Sequence, residues 1–302
     1  MVTIPAAPEG PTVYVVGEQP VDDGFRILIG IALKSLKAGA CDVQSIRTGP
    51  EPGPGDRGTI LEFLQDEYNA RGAFIVGQSP QFLDESSDAY DEIDDACRLL
   101  GEVGVIFRQP GLLGAATVTL DRLVPADTPE TLILGAGTNA RALAAAITTG
   151  VCAATPEKVT IASRDAKGLA DVRQRISERV SQGQLEVRNI EDPSEHDRLL
   201  ALMPPRSAVL NASIDAYGMA PTAGGAVLFP GECIVADLLS PAGSSRLLAE
   251  ADQQRVASSL TLHNARTYTL ERRFAILEAM FGADASAAQR GALRKALEKH
   301  DG

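Results

Sequence analysis

The sequence has no tryptophan, and aromatic residues of all kinds make up only 4% of its 302 residues. The core must therefore be built from aliphatic side chains, chiefly Leu, Ile, Val and Ala. Hydrophobic residues account for 44% of the chain and charged residues for 23%, which is the composition of a globular protein. The length is sufficient for two domains of ordinary size.

Histidine and cysteine are also scarce. The three histidines lie far apart in the sequence: His196, His263 and His300. They supply little material for a His-based metal site or a Ser–His–Asp nucleophile. The four cysteines show no C-x-x-C spacing: Cys41, Cys97, Cys152 and Cys233. We expect them to be reduced and to serve as small apolar side chains, with no bound metal and no disulfide framework.

Positive charge is in deficit. The chain has 28 Lys and Arg against 40 Asp and Glu, a net charge of −12. Such a surface repels phosphate backbones and anionic lipids, so we expect neither nucleic acid nor a membrane as a partner. The sequence also lacks a run of eighteen apolar residues and a signal-like start. We expect a cytoplasmic protein with a small-molecule substrate, and the sequence leaves a homo-oligomer open.

The first 120 residues alternate strand and helix patterns, and we predict an N-terminal α/β domain there. Residues 1–10 are predicted to be a loose, proline-rich tail. Strands are predicted at Thr12–Val16, Cys41–Ile46, Ala73–Val76, Val103–Phe107 and Ala116–Leu120. Helices are predicted at Phe25–Leu36, Thr59–Ala70 and Asp84–Arg98. The glycine- and proline-rich stretch Thr48–Gly58 is predicted to be an irregular loop, either functional or disordered.

A glycine motif marks the start of a second domain. The apolar run Leu132–Leu134 has the pattern of a buried strand and is followed at once by glycines and a helical pattern. Gly135, Gly137 and Ala140 fill the spacing G-x-G-x-x-[G/A] of a dinucleotide-binding βαβ unit. Gly135 permits the tight turn, and Gly137 lets a pyrophosphate approach the backbone at the positive end of the helix. The alternative is that these glycines serve only the turn.

The next predicted strand, Val159–Ala162, is followed by Ser163, Arg164 and Asp165. In such units the end of the second strand meets the adenosine ribose. An arginine there suits a 2′-phosphate, whereas an acid alone suits a free 2′-hydroxyl. Arg164 and Lys167 therefore favour NADP as the cofactor, and Asp165 keeps NAD open. The alternative is that Arg164 only caps a surface loop.

We predict an α/β fold with a Rossmann-like, doubly wound parallel sheet in the second domain. Its strands are predicted at Leu132–Leu134, Val159–Ala162, Leu185–Asn189, Ala208–Asn211 and Cys233–Ala236. The predicted domains are residues 1–120, 121–257 and, as C-terminal helices, 258–302. The terminal helices are predicted at Tyr268–Phe281 and Ser286–Lys299. Two α/β domains of this kind usually place a ligand in the cleft between them.

The order of these motifs resembles the shikimate/quinate dehydrogenase family, most clearly over residues 131–282. Leu134–Ala142 is similar to the family's cofactor loop, and Val159–Asp165 to its Asn-Arg-Thr segment. Asn211–Met219 resembles a segment that lies against the cofactor, and Val235–Asp237 the strand after it. The resemblance implies an NADP domain and C-terminal helices that pack back on the first domain. It implies these cofactor-binding residues: Gly135, Gly137, Thr138, Asn139, Ala140, Ser163, Arg164, Lys167, Asn211, Ala212, Ser213, Met219 and Leu239.

The substrate side departs from the family pattern. The place of the carboxylate-binding Ser-x-Ser-Pro segment holds Asp22–Phe25, whose acids would repel an anion. The catalytic Lys has no counterpart, because the chain has no lysine between Lys37 and Lys158. The catalytic Asp falls on Ala116–Val118, and the Tyr of Asp-x-x-Tyr falls on Ser240. Since the Lys–Asp pair moves the hydroxyl proton in this family, shikimate oxidation is not expected.

Other groups would have to protonate the product oxygen in a divergent enzyme. The candidates are Asp121, Tyr217, Tyr268 and Arg272. Each also has a structural interpretation, as a helix cap, a surface loop residue, a half-buried aromatic or a solvated arginine. Three hypotheses follow: an NADP-dependent oxidoreductase for a small hydroxy or keto compound other than shikimate, a nucleotide-binding sensor or partner subunit, and a non-redox enzyme. Whether the chain is an enzyme is left open.

Overall fold

The structure is a computed structural model that describes residues 2–18, 20, 26, 29–30, 33, 41–49, 53–75, 81–84, 87–101, 103–116, 124–148, 154–176, 180, 183–192, 194–213, 229–240, 245–265, 288, 291 and 295. The chain divides into two compact units, one of Met1–Val118 with Arg273–Gly302 and one of Thr119–Arg272. The predicted helices Phe25–Leu36, Tyr268–Phe281 and Ser286–Lys299 lie largely outside the described residues. No helix in the described part combines the length and apolar character needed to span a bilayer.

The first unit contains a mixed six-stranded sheet. Its strands are β1 (Thr12–Gly17), β2 (Asp42–Arg47), β3 (Ala70–Ile75), β4 (Glu92–Ile93), β5 (Val105–Gln109) and β6 (Leu112–Ala116). The helices bounded within the described residues of this unit are α1 (Pro54–Asp66), α2 (Gln81–Asp84) and α3 (Asp95–Leu100), with a 3₁₀ turn at Ser87–Ala89. The strand order is β2-β1-β3-β5-β6-β4. Strand β5 runs antiparallel to β3 and β6, and the other pairs are parallel.

Helix α1 begins inside the stretch Thr48–Gly58, which was predicted to be irregular throughout. Pro54 occupies its first turn, where the missing N–H costs nothing. The backbone N–H of Gly53 donates to the Asp56 carboxylate at 3.4 Å, which completes the start of the helix. The prediction was wrong for residues 54–58, because it treated proline and glycine only as helix breakers. The helix ends at Asp66, four residues before the predicted end.

The predicted helix Asp84–Arg98 is instead broken into short elements. Strand β4 interrupts it by pairing with β6. The Asp94 carboxylate then accepts a hydrogen bond from the backbone N–H of Cys97 and caps the start of α3. The prediction was wrong because the acidic residues of this stretch form caps and turns as readily as a helix face.

The N-terminal residues, predicted to be a loose tail, are attached to the first sheet. The backbone N–H of Thr3 donates to the Arg47 carbonyl at 2.9 Å, and the N–H of Arg47 donates back to Thr3 at 3.1 Å. Val2 and Ile4 pack against the core of the unit. Two apolar side chains and a paired backbone therefore tie the segment down, so that prediction was wrong.

The second unit contains a parallel six-stranded sheet with helices between its strands. The strands are β7 (Glu130–Leu134), β8 (Lys158–Ser163), β9 (Leu185–Asn189), β10 (Ala208–Asn211), β11 (Ile234–Asp237) and β12 (Thr261–His263). The helices are α4 (Thr138–Thr148), α5 (Ala166–Ile176), α6 (Ser194–Leu202) and α7 (Arg246–Ser258). The strand order is β12-β11-β10-β7-β8-β9, which is the 6-5-4-1-2-3 order of a dinucleotide-binding domain.

The predicted α/β fold class and the parallel sheet of the second unit are confirmed. The strand of this sheet that the prediction missed is β12, a three-residue strand that pairs with β11. The direction of winding reverses between β7 and β10, which lie side by side in the sheet. Ligands of such sheets bind outside the carboxyl ends of the strands at this reversal. Leu134 and Asn211 end the two strands, so the site is expected beside these residues.

Candidate functional site

The glycine loop follows β7 and is fixed by contacts that only glycine permits. Gly135 has a φ of +113°, and a Cβ atom placed on it would come within 2.6 Å of the Ser213 Cβ and 3.2 Å of the Ala212 oxygen. The N–H of Gly135 donates to the Ala162 carbonyl at 2.8 Å, and the N–H of Ala212 donates to the Leu134 carbonyl at 2.8 Å. The loop is therefore held between the ends of β8 and β10.

Gly137, two residues further along the loop, has open surroundings. It is exposed, and a Cβ atom placed on it would meet no atom of the described residues within 4 Å. Helix α4 starts at the next residue, Thr138, and its small Ala140 is fully buried against the sheet. Asn139 is half-buried. An open backbone at the positive end of a helix is the arrangement that accepts a pyrophosphate, so the loop fits a dinucleotide.

The end of β8 presents charged side chains to solvent. Ser163 is buried, whereas Arg164, Asp165 and Lys167 are exposed. The Asp165 carboxylate accepts a hydrogen bond of 3.0 Å from the N–H of Gly168, and the Asp165 N–H donates to the Ser163 hydroxyl at 3.1 Å. Asp165 thus caps the start of α5. Within the described part of the chain, neither Arg164 nor Lys167 forms a salt bridge.

Sequence reasoning missed Gly168, which brings α5 against the glycine loop. A Cβ atom at this position would lie 2.9 Å from the Ala136 Cβ and 3.0 Å from the Ala136 oxygen. The salt bridge between Arg141 and Asp171, 3.1 Å long, joins α4 to α5 nearby. A glycine three residues after Asp165, in the first turn of a helix, was the signal that could have identified this contact.

A buried carboxylate lies at the end of β11, and sequence reasoning missed its role. Asp237 is 1% exposed and Asn211, at the end of the adjacent β10, is 2% exposed. The Asn211 amide donates to Asp237 at 3.0 Å, and its oxygen accepts from the N–H of Ser213 at 3.2 Å. Leu239, half-buried, donates its N–H to Asp237 at 3.1 Å. The Asn211 side chain is thus occupied by protein groups, and its direct contact with a cofactor stays a prediction.

Ser240 completes the surroundings of Asp237. Its hydroxyl donates to the carboxylate at 2.7 Å and its N–H donates at 2.9 Å. Burial by itself would raise the pKa of the Asp237 carboxyl, but the hydrogen bonds from Ser245, Ser240 and Asn211 outweigh burial and hold that pKa below its usual range. The group is therefore a carboxylate at neutral pH.

His196 lies in the first turn of α6 and is 1% exposed. Neither of its ring nitrogens has a hydrogen-bond partner among the described residues. Burial lowers the pKa of His196 to about 4; the Asp197 carboxylate opposes this shift and the Arg164 guanidinium adds to it. The imidazole is therefore neutral at physiological pH, and the nearby Arg164 guanidinium disfavours its protonation.

Several predicted site residues lie outside the described residues. These are Met219 of the cofactor set and all four candidate proton donors, Asp121, Tyr217, Tyr268 and Arg272. Their roles stay predictions. Among the residues that the structure does describe, no group of three or more His, Cys, Asp and Glu side chains could hold a metal ion.

Comparison with known proteins defines the class of this fold. No protein-family model matches the sequence, and no curated protein matches it. Solved structures do match, over nearly the whole chain. Shikimate 5-dehydrogenase from Listeria monocytogenes, in complex with shikimate and NAD, shares 15% identity and a TM-score of 0.72, covering 98% of this chain and 99% of that chain.

Two further structures extend the comparison. The 5-ketofructose reductase of Gluconobacter sp. strain CHM43 is 18% identical with a TM-score of 0.67, covering 96% of this chain and 99% of its own. Shikimate 5-dehydrogenase from Thermus thermophilus, in complex with NADP(H) and shikimate, is 18% identical with a TM-score of 0.63. The match covers 95% of this chain and 99% of that chain. The chain therefore has the shikimate dehydrogenase-like fold, and the predicted resemblance is confirmed at the level of the fold.

Proposed function

We propose that this protein is an NADP-dependent oxidoreductase acting on a small hydroxy or keto compound other than shikimate, with cyclic compounds as the first class to test. When bound, the nicotinamide would supply or accept the hydride. The observation that carries the proposal is the glycine loop at the strand reversal of the second sheet, where Gly135 is locked against Ser213 and Gly137 is open. The matching solved structures include those of a shikimate 5-dehydrogenase and a 5-ketofructose reductase, which supports the same class of activity.

The surroundings of the ribose position support NADP rather than NAD. The carboxylate of Asp165 is used as the cap of α5, where it accepts the N–H of Gly168. A capping carboxylate is less available to a ribose 2′-hydroxyl. Arg164 and Lys167 are exposed on the same turn, so their positive charges are available to a 2′-phosphate. Solved structures of this fold hold either NAD or NADP(H).

The substrate-side residues support a compound other than shikimate. The segment between Lys37 and Lys158 has no lysine, and Ala116 ends β6 where the family resemblance places an acid. An alanine cannot accept or donate a proton, so the proton must move through another group. The candidates for this proton-transferring group, to be tested by substitution, are Asp121, Tyr217, Tyr268 and Arg272.

The proposal is tested first by binding and then by turnover. NADPH and NADH are titrated against the protein and followed by nicotinamide fluorescence, and NADPH oxidation is then measured with a panel of cyclic ketones and keto acids. We expect NADPH to bind more tightly than NADH and at least one panel compound to be reduced. Failure to bind either dinucleotide would exclude every function built on the glycine loop.

A second candidate function is a nucleotide-binding sensor or partner subunit without dehydrogenase activity. The absence of the family's lysine from the sequence favours it. It predicts tight NADPH binding with no turnover on any panel compound, including shikimate and quinate in the oxidative direction with NADP⁺. Turnover of any of these compounds would exclude it.

A further inference from the structure

The carboxylate of Asp237 joins three separate elements of the second unit. Its Oδ2 atom accepts hydrogen bonds from the Asn211 amide at 3.0 Å, the Ser240 hydroxyl at 2.7 Å and the Ser245 hydroxyl at 2.5 Å. Its Oδ1 atom accepts from the backbone N–H groups of Leu239 and Ser240. Five donors on one buried carboxylate occupy all of its lone-pair sites, which makes the group a rigid junction.

Two of these donors, Ser245 and Asn211, lie at the ends of regular elements of the second unit. Ser245 also accepts a hydrogen bond from the N–H of Leu248 at 3.2 Å, so it caps α7 while it donates to Asp237. Asn211 ends β10 and holds the N–H of Ser213 through its amide oxygen. The carboxylate thus connects the end of β10 with the start of α7.

The segment that Asn211 holds is the one that packs on the glycine loop. Ala212 donates its N–H to Leu134, the last residue of β7, at 2.8 Å. The Ser213 Cβ lies 2.6 Å from the place of a Cβ on Gly135. A shift of Asn211–Ser213 by a few tenths of an ångström would therefore move the loop or open a gap beneath it, because backbone and Cβ atoms rather than the end of a flexible side chain make this contact.

We propose that Asp237 is a positioning residue of the dinucleotide site: through Asn211 it holds the segment 211–213 against Gly135 and thereby sets the affinity for the dinucleotide. The inference rests on the proposed function for the identity of the ligand. Asp237 does not contact the ligand in this scheme. It acts in the way that outer residues fix the groups that do contact a ligand.

The test compares Asp237→Asn with a matched destabilised control. The asparagine keeps the shape but brings an NH₂ group against three donors in place of Oδ2 or two in place of Oδ1, so we expect the Kd for NADPH to rise by about tenfold or more. Val159→Ala removes buried methyl groups at the amino end of β8, where Val159 is 0% exposed. It should lower stability by cavity formation and leave the Kd unchanged. Equal weakening by both variants would mean general destabilisation and would overturn the proposal.

Two further variants keep the test decisive if Asp237→Asn folds poorly. Ser245→Ala removes one donor and leaves the carboxylate in place, so we expect a smaller rise in Kd. The exchanged pair Asp237→Asn with Asn211→Asp restores an amide–carboxylate contact, so we expect it to recover part of the affinity lost by Asp237→Asn alone. No loss in Ser245→Ala together with no recovery in the exchanged pair would contradict the proposal.

Hydrogen exchange separates this inference from the proposed function, because it needs no nucleotide. In Asp237→Asn the amides of Ala212 and Ser213 should exchange faster than in the wild type, and those of β8 should not. A wild type that binds neither NADPH nor NADH overturns the proposed function and this inference together. A wild type that binds NADPH, with an Asp237→Asn variant of equal affinity and unchanged exchange at Ala212 and Ser213, overturns this inference alone.

Discussion

Gly135 and Ser213 approach so closely that a Cβ atom at position 135 would lie 2.6 Å from the Ser213 Cβ. The pair joins the loop after β7 to the segment after β10, on the two sides of the strand reversal. Gly135 also has a φ of +113°, which side chains other than glycine rarely adopt. The close contact with Ser213 and the positive φ angle therefore each require glycine at position 135.

We expect Gly135→Ala to lower both stability and dinucleotide binding. The strained φ alone costs roughly 1–3 kcal/mol, and the contact with Ser213 adds to that cost. Chemical denaturation would measure the loss of unfolding free energy, and fluorescence titration the loss of NADPH affinity. An alanine variant as stable as the wild type would show that the loop can rearrange without cost.

Gly137→Ala is the matched variant, because it adds the same methyl group two residues away. No atom of the described residues lies within 4 Å of its added Cβ, so the unfolding free energy should change by less than about 0.5 kcal/mol. The methyl group would stand where a pyrophosphate approaches the backbone, so NADPH affinity should fall by about tenfold or more. Unchanged affinity would place the phosphates elsewhere.

The local features of the second unit could be predicted from the sequence, because each depends on neighbouring residues. The apolar run before Gly135 forms β7, and the residues after Ala162 form the exposed turn with Arg164. The junction at Asp237 could not be predicted in this way. Asn211 and Asp237 are 26 residues apart, and nothing in either local pattern shows that their side chains meet.

Errors of prediction in the first unit have a related cause. Pro54 was interpreted as a helix breaker, but at the first turn of α1 it favours the helix. Strand β4 lies within a stretch, Asp84–Arg98, whose apolar positions have helical spacing, and its pairing with β6 makes Glu92–Ile93 a strand. In both places the position within the fold, rather than the residue type, decided the structure.

Arg164→Ala should reduce the preference for NADPH over NADH. The exposed guanidinium is the group best placed for a 2′-phosphate, and a charge-assisted contact of this kind corresponds to a change of about ten- to a hundredfold in the ratio of the two Kd values. Lys167→Ala should act in the same direction with a smaller effect. Arg255→Ala, at an exposed arginine of α7 that pairs with Asp252, is the control and should leave the ratio unchanged. A constant ratio in Arg164→Ala would exclude this residue as the phosphate ligand.

Buried His196 should make the protein less stable as the pH falls from 6.5 towards 4. Its pKa in the folded protein is about 4, below the usual 6.5, so in this range the unfolded chain binds a proton that the folded protein does not. Above pH 6.5 His196 therefore does not reduce the free energy of unfolding. On acidification below pH 6.5 the free energy of unfolding falls, by up to about 3 kcal/mol from this group. His196→Leu removes the titrating group, and its unfolding free energy should depend less on pH. Denaturation at pH 7, 6 and 5 measures the slope, and an identical slope in both proteins would contradict the assignment.

Two buried tyrosines of the first unit should respond in opposite ways to the loss of a hydroxyl group. The hydroxyl of Tyr14, which is 0% exposed, has no hydrogen-bond partner in the described part of the chain, while its ring packs edge-on against Phe63 at 5.3 Å. Tyr14→Phe removes an unsatisfied polar group and keeps the ring contact, so the unfolding free energy should rise by about 1 kcal/mol. Tyr90 instead donates its hydroxyl to the Phe82 carbonyl at 3.2 Å, so Tyr90→Phe should lower it by about 1 kcal/mol. Urea denaturation of the two variants against the wild type measures both changes; a loss of stability in Tyr14→Phe equal to that in Tyr90→Phe would mean that the Tyr14 hydroxyl is satisfied in solution.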